Sequence, residues 1–99
     1  MFRHVVIFKW NEGVDAAHVE EIAAALDRLT TVIPAIAAYA HGKDAAVNAD
    51  NFDYVVVGDF LSVDDYLVYR DHPEHRSFID TYISGRVATR AAIQYHVVD

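Results

Sequence analysis

There is no cysteine among the 99 residues, which removes disulfides, thiolate nucleophiles and thiolate-held metals, and leaves redox chemistry silent about compartment. Basic residues are scarce too. The 8 Lys and Arg stand against 15 Asp and Glu, and a net charge of -7 repels phosphate backbones and anionic lipid. Nucleic acid and membrane surfaces are therefore not expected partners. No run reaches the roughly 18 apolar residues of a membrane span. Met1-Phe2-Arg3-His4 leads straight into a strand pattern without a signal-peptide layout, so the expected compartment is the cytoplasm. With only 4 glycines and 2 prolines, there is no Gly-rich phosphate loop and no Pro/Gly linker. Nucleophilic-serine motifs, carboxylate pairs at a diagnostic spacing and internal repeats are also missing, which sets those enzyme classes and repeat architectures aside.

What remains is a chain with 54% hydrophobic and 23% charged residues, a composition that can bury enough apolar surface to offset chain entropy. Its length fits one domain over residues 1–99. Phe2 to Trp10 reads as a strand, with Phe2, His4, Val6, Phe8 and Trp10 on one face and Val5 and Ile7 on the other. Asp15 is the expected N-cap of a helix carrying Val19, Ile22, Leu26, Leu29 and Ile33 at 3-4-3-4 spacing, and Pro34 ends it. Ile36 to His41 alternates weakly as a second strand, Gly42 opens a loop, and Lys43 to Asp53 is polar. Tyr54 to Phe60 is a third strand with apolar residues on both faces. Ser62 before Asp64 and Asp65 signals a helix through Tyr66, Leu67 and Arg70, and Pro73 restarts helix up to Gly85. Ala92 to Val98 closes the chain as a fourth strand.

The order β-α-β-β-α-β predicts an α+β, ferredoxin-like fold, a four-stranded antiparallel sheet with its helices on one face. The uncovered face would expose the second apolar sides of strands one and three. A homodimer that buries them against each other is therefore expected, as a dimeric α/β barrel.

Several segments carry a family resemblance at matching places along nearly the whole chain. They are Arg3-His4-Val5-Val6-Ile7-Phe8-Lys9-Trp10, Ile33-Pro34-Ala35-Ile36, Gly42-Lys43-Asp44, and Phe52-Asp53-Tyr54 with Asp59-Phe60 and Ser62. The most specific is Tyr69-Arg70-Asp71-His72-Pro73-Glu74-His75-Arg76-Ser77-Phe78, a tyrosine followed by a His-Pro-x-His box. Together they resemble the stress-responsive dimeric α/β barrel family. A catalytic plant branch of that family closes linear polyketide chains by intramolecular aldol condensation without a metal, using a first-strand histidine, a tyrosine and the second box histidine. The resemblance implies the same roles for His4, Tyr69 and His75. It implies no cofactor and a small hydrophobic or polyketide-like ligand.

The residue types suit that chemistry. An imidazole such as His75 titrates near neutrality and can take a proton lying between two carbonyls. Tyr69 can donate its hydroxyl to the developing enolate, and His4, facing inward, can orient either partner. The three are expected to line one cavity, with the Tyr69 oxygen hydrogen-bonded to a His75 nitrogen directly or through one water. The alternative is a non-catalytic stress-response or scaffold homodimer, in which the box only starts and packs a helix. His72, just before Pro73, reads as a helix-start residue. His72 and His75 have no inward acidic partner to complete a metal site. His18, His41 and His96 read as surface or strand-packing residues, and Trp10, Tyr54, Tyr66, Tyr82 and Tyr95 as core rather than pocket lining.

Overall fold

The computed structural model describes residues 1–98. Four strands form one antiparallel sheet, β1 (Phe2–Trp10), β2 (Ala38–Lys43), β3 (Tyr54–Phe60) and β4 (Val87–His96), in the order β2-β3-β1-β4. Helices α1 (Ala16–Val32), α2 (Val63–Asp71) and α3 (Pro73–Phe78) connect them, and a π-helical turn over Ile79–Ile83 extends α3. The expected ferredoxin-like arrangement is the one found.

Alternation along the central strand sets the two layers. Phe2, His4, Val6 and Phe8 of β1 and Tyr54, Val56 and Phe60 of β3 point to one face, where they are buried against Ile22, Leu26 and Leu29 of α1, its C-cap Ile33, and Phe78 and Ile83 beyond. Leu26 is only 1% exposed, and burying a leucine so fully is worth roughly 1.5–3 kcal/mol. The opposite face bears Val5 and Ile7 beside Val57 and Val55 of β3 and Ile93 and Ala91 of β4, all in cross-strand register. No helix or strand among the described residues covers it. Its polar groups lie toward one end, where Arg3 holds Asp59 through two hydrogen bonds of 2.7 and 2.9 Å and also donates to the Tyr95 hydroxyl. The Arg3 guanidinium keeps the Asp59 carboxyl below the usual carboxylate range.

Helix α1 begins as expected. The Asp15 carboxylate accepts from the His18 amide and the His18 ring accepts in return from the Asp15 amide, a capping box with histidine in the place usually taken by glutamate. His41, on β2, ties two elements to its strand. Its Nε2 donates to Asp27 of α1 and its Nδ1 accepts from the Tyr54 hydroxyl, both at 2.7 Å.

Three boundaries differ from expectation. Strand β2 runs Ala38–Lys43 rather than from Ile36, so Gly42 is within it, because pairing to β3 and not apolar alternation defines its ends. Strand β4 starts at Val87, five residues before Ala92, and ends at His96. The last helical stretch is not continuous α-helix, since its final turn widens into the π-helical turn before Gly85 adopts the left-handed conformation at φ +81.

Candidate active site between the sheet and the helices

The His-Pro dipeptide builds the site by breaking a helix. A residue before proline avoids helical backbone, and His72 sits at φ -62, ψ 135, ending α2 while capping α3 with Pro73 in its first turn. The His72 Nδ1 accepts from the Glu74 amide at 3.1 Å, so that amide is not available to the carbonyls left at the end of α2. The His75 ring takes one of them. Its Nδ1 lies 3.0 Å from the Arg70 carbonyl oxygen. A carbonyl can only accept, so Nδ1 carries the proton and the neutral ring keeps the lone pair on Nε2. Burial, the largest cause, with the nearby Arg76 charge, lowers the His75 pKa below the ordinary imidazole value, while the bond to Arg70 opposes this. The ring is therefore neutral at pH 7.

Tyr69, one turn earlier on α2, is buried with its ring 4.2 Å from that of His75, centroid to centroid. Its hydroxyl lies 2.7 Å from that of Tyr39 on β2. Two hydroxyls bonded to each other use one proton between them, which leaves the other free for a ligand. Burial pushes the Tyr69 pKa up to about 12, and that of Tyr39 also upward, so the pair works as a neutral donor at physiological pH. From the sheet, His4 is 6% exposed and accepts at Nδ1 from the Gln94 side-chain amide at 2.9 Å, and that amide also donates to the Tyr66 hydroxyl at 3.1 Å. Its proton is accordingly on Nε2. Desolvation, reinforced by the Arg90 and His75 charges, lowers the His4 pKa to about 4.

These groups meet in one cavity of about 170 Å³ under the helices. His4, Tyr39, Tyr66, Tyr69, His75, Arg90 and the Asp71-paired Arg70 give it polar groups, and Val6, Phe8, Leu26, Val56, Phe78 and Ile79 its apolar wall. No fully buried side-chain nitrogen or oxygen among the described residues lacks a hydrogen-bond partner. The unpaired His4 Nε2 is thus reached from the cavity. Larger hollows of about 350 Å³ lie against Ile7 and Val55 on the uncovered face and along the outer side of His75, Arg76 and Asp80. The first collects no titratable group from the helix layer, and the second is an open surface depression beside the same histidine.

The expected trio of His4, Tyr69 and His75 does line a single cavity, but Tyr69 and His75 make no direct hydrogen bond. The Tyr69 hydroxyl is bonded to Tyr39 and the His75 Nδ1 to the Arg70 carbonyl, and the two rings pack against each other tilted by 32°. Tyr66 packs against the core as expected and lines the cavity as well. Tyr95, also read as core, is 45% exposed on the uncovered face. Tyr39, Gln94 and Arg90 were not singled out from the sequence. Extending β4 back to Val87 would have put Arg90 and Gln94 on the same face as Phe8 and His4. Among the described residues, no group of three or more histidine and acidic side chains is gathered as a metal site requires, and no helix is long and apolar enough to cross a membrane.

Comparison with known proteins places this geometry in context. The model of the family described as the stress responsive A/B barrel domain matches residues 2–97. Olivetolic acid cyclase of Cannabis sativa is 29% identical over 84 residues, 83% of either chain. Among solved structures, a dimeric ferredoxin-like protein of unknown function from Thermobifida fusca is 36% identical, over 97% of this chain and 90% of its own, with a TM-score of 0.89. The hydroxynitrile lyase of Passiflora edulis reaches a TM-score of 0.86 over 99% of this chain and 94% of its own at 20% identity, a likeness of fold alone.

Proposed function

The chain belongs to the stress-responsive A/B barrel domain family, and from that premise we propose that it is a cytoplasmic, single-domain homodimer. In this reading each helix-covered cavity carries out cofactor-free acid–base chemistry of the polyketide-cyclase type on a small, largely apolar carbonyl compound. The observation that carries it is the His75 ring, whose Nδ1 is committed to the Arg70 carbonyl and whose Nε2 lone pair is left to act as base beside a tyrosine hydroxyl. The cyclase relative supports the reaction type. Dimeric relatives of the same fold, and the uncovered apolar sheet face, support the assembly.

The steps follow from the donors and acceptors available. His75 Nε2 removes a proton from the carbon between two carbonyls, and the enolate oxygen accepts from the spare hydroxyl proton of the Tyr39–Tyr69 pair and from His4 Nε2–H. The enolate carbon attacks a second carbonyl of the same chain, forming the ring bond. The proton on His75 then returns to the new alkoxide, and loss of water completes the condensation. Donors held among buried side chains act more strongly than they would in bulk water. A general base of this kind contributes about 10²–10⁴-fold. His75→Ala should therefore lower turnover of an accepted poly-β-keto substrate by at least about a hundredfold while leaving sedimentation and melting nearly as in the wild type. If the variant unfolds, and the wild type turns over nothing in a broad screen of such substrates, the box is structural and the scaffold reading replaces this one.

A further inference from the structure

Six arginines occur in the chain, and five have side-chain partners. Arg3 pairs with Asp59, Arg28 donates to the Tyr82 hydroxyl, Arg70 and Arg76 share Asp71, and Arg86 approaches Glu21. Arg90 has no ion pair or side-chain hydrogen bond among the described residues. It is exposed, stands across from Phe8 on the helix-facing side of the sheet, and lines the cavity with His4, Tyr69 and His75. No aspartate or glutamate lines that cavity, although the chain as a whole carries a net charge of -7. An arginine left unpaired in so acidic a chain, at a site without carboxylates, matches a ligand that supplies the missing anion. Its field reaches the chemistry as well, since it disfavours protonation of both His4 and His75.

Resting on the acid–base reading of this cavity, we propose that Arg90 is a specificity-determining residue that binds a carboxylate of the ligand, so that the natural ligand is a small keto acid. Its carboxylate lies on Arg90, and its carbonyl arm lies inside against Tyr69 and His75. Guanidinium and carboxylate match as planar partners through two parallel hydrogen bonds, a fit that an ester or a neutral ketone cannot offer. A cavity of about 170 Å³ is small for a ligand site, which suits a short poly-β-keto acid. Because Arg90 is exposed and makes no ion pair or side-chain hydrogen bond among the described residues, changing it should not disturb folding.

Titrating the homodimer with acetoacetate and with its uncharged methyl ester, followed by NMR shifts of the cavity residues, tests the proposal without any turnover. The wild type should bind acetoacetate about tenfold more tightly than the ester, a preference worth one charge-assisted contact. Arg90→Gln should abolish that preference with no change in melting temperature, and Arg90→Lys should keep part of it. Equal affinities in the wild type, tighter binding of the ester, no binding of acetoacetate at millimolar concentration, or an undiminished preference in Arg90→Gln would each overturn it. The two readings fail separately. A carboxylate preference without turnover of any substrate leaves Arg90 in place and removes the catalytic role of His75. Turnover of neutral ketones without a carboxylate preference does the opposite.

Discussion

The two faces of the sheet are made from the same strands, offset by one residue, and they do opposite things with polarity. On the covered face, polar groups are sunk among core side chains: His4 sits between Phe2 and Val6, and Tyr39 and Tyr69 meet beneath the helices. On the uncovered face, the charged pair Arg3 and Asp59 lies toward one end, and Val5, Ile7, Val55 and Val57 are left together in the middle. Buried polar groups held by hydrogen bonds, with a nitrogen of His4 and of His75 left to the cavity, suit selective chemistry, while an apolar patch with a charged edge suits a second protein surface. Strand periodicity of two is what allows one sheet to carry both without interference.

The largest effect expected from breaking this contrast is on assembly. Val57→Asp places a charge at the centre of the uncovered face, which in a dimer would be buried without a partner. Sedimentation at micromolar concentration should show the wild type as a dimer and the variant as a monomer with its helical signal retained. A monomeric wild type, or a dimeric variant, would remove the role given to this face.

A smaller effect separates the covered face by its response to acid. His4 titrates at about 4 when folded against 6.5 unfolded, so between those values the unfolded chain binds the proton and the folded one does not. Stability should thus be fully present above pH 6.5, fall as the pH drops toward 4, and lose nothing further to this group below that. The loss from His4 should be on the order of 3 kcal/mol, with His75 shifted in the same direction. Denaturation midpoints measured across this range in the wild type and in His4→Gln would isolate the His4 share. An equally steep acid loss in the variant would assign the effect elsewhere.

Much of this was legible in the sequence, and the reasons why some was not are local. Alternation in Phe2–Trp10 and Tyr54–Phe60 separates the two faces directly, and the His72-Pro73 step marks the helix break because proline constrains the residue before it. Ala88, Thr89 and Arg90 carry no alternating apolar signal. They are strand because β1 lies beside them, a tertiary effect that overrides local propensity, and with them Arg90 stayed hidden. Sequence distance concealed the rest. The Tyr39 hydroxyl that occupies Tyr69 comes from a strand 30 residues away, and the carbonyl that fixes His75 is exposed only because the helix breaks.

The His75 ring is the point on which the account turns, and long-range ¹H–¹⁵N correlation of the imidazole nitrogens reports it directly. At pH 7 the ring should be neutral with the proton on Nδ1 and Nε2 unprotonated, and the Nε2 signal should move when acetoacetate or a β-diketone is added. A ring protonated on Nε2 alone, an imidazolium at pH 7, or a signal indifferent to both ligands would contradict it.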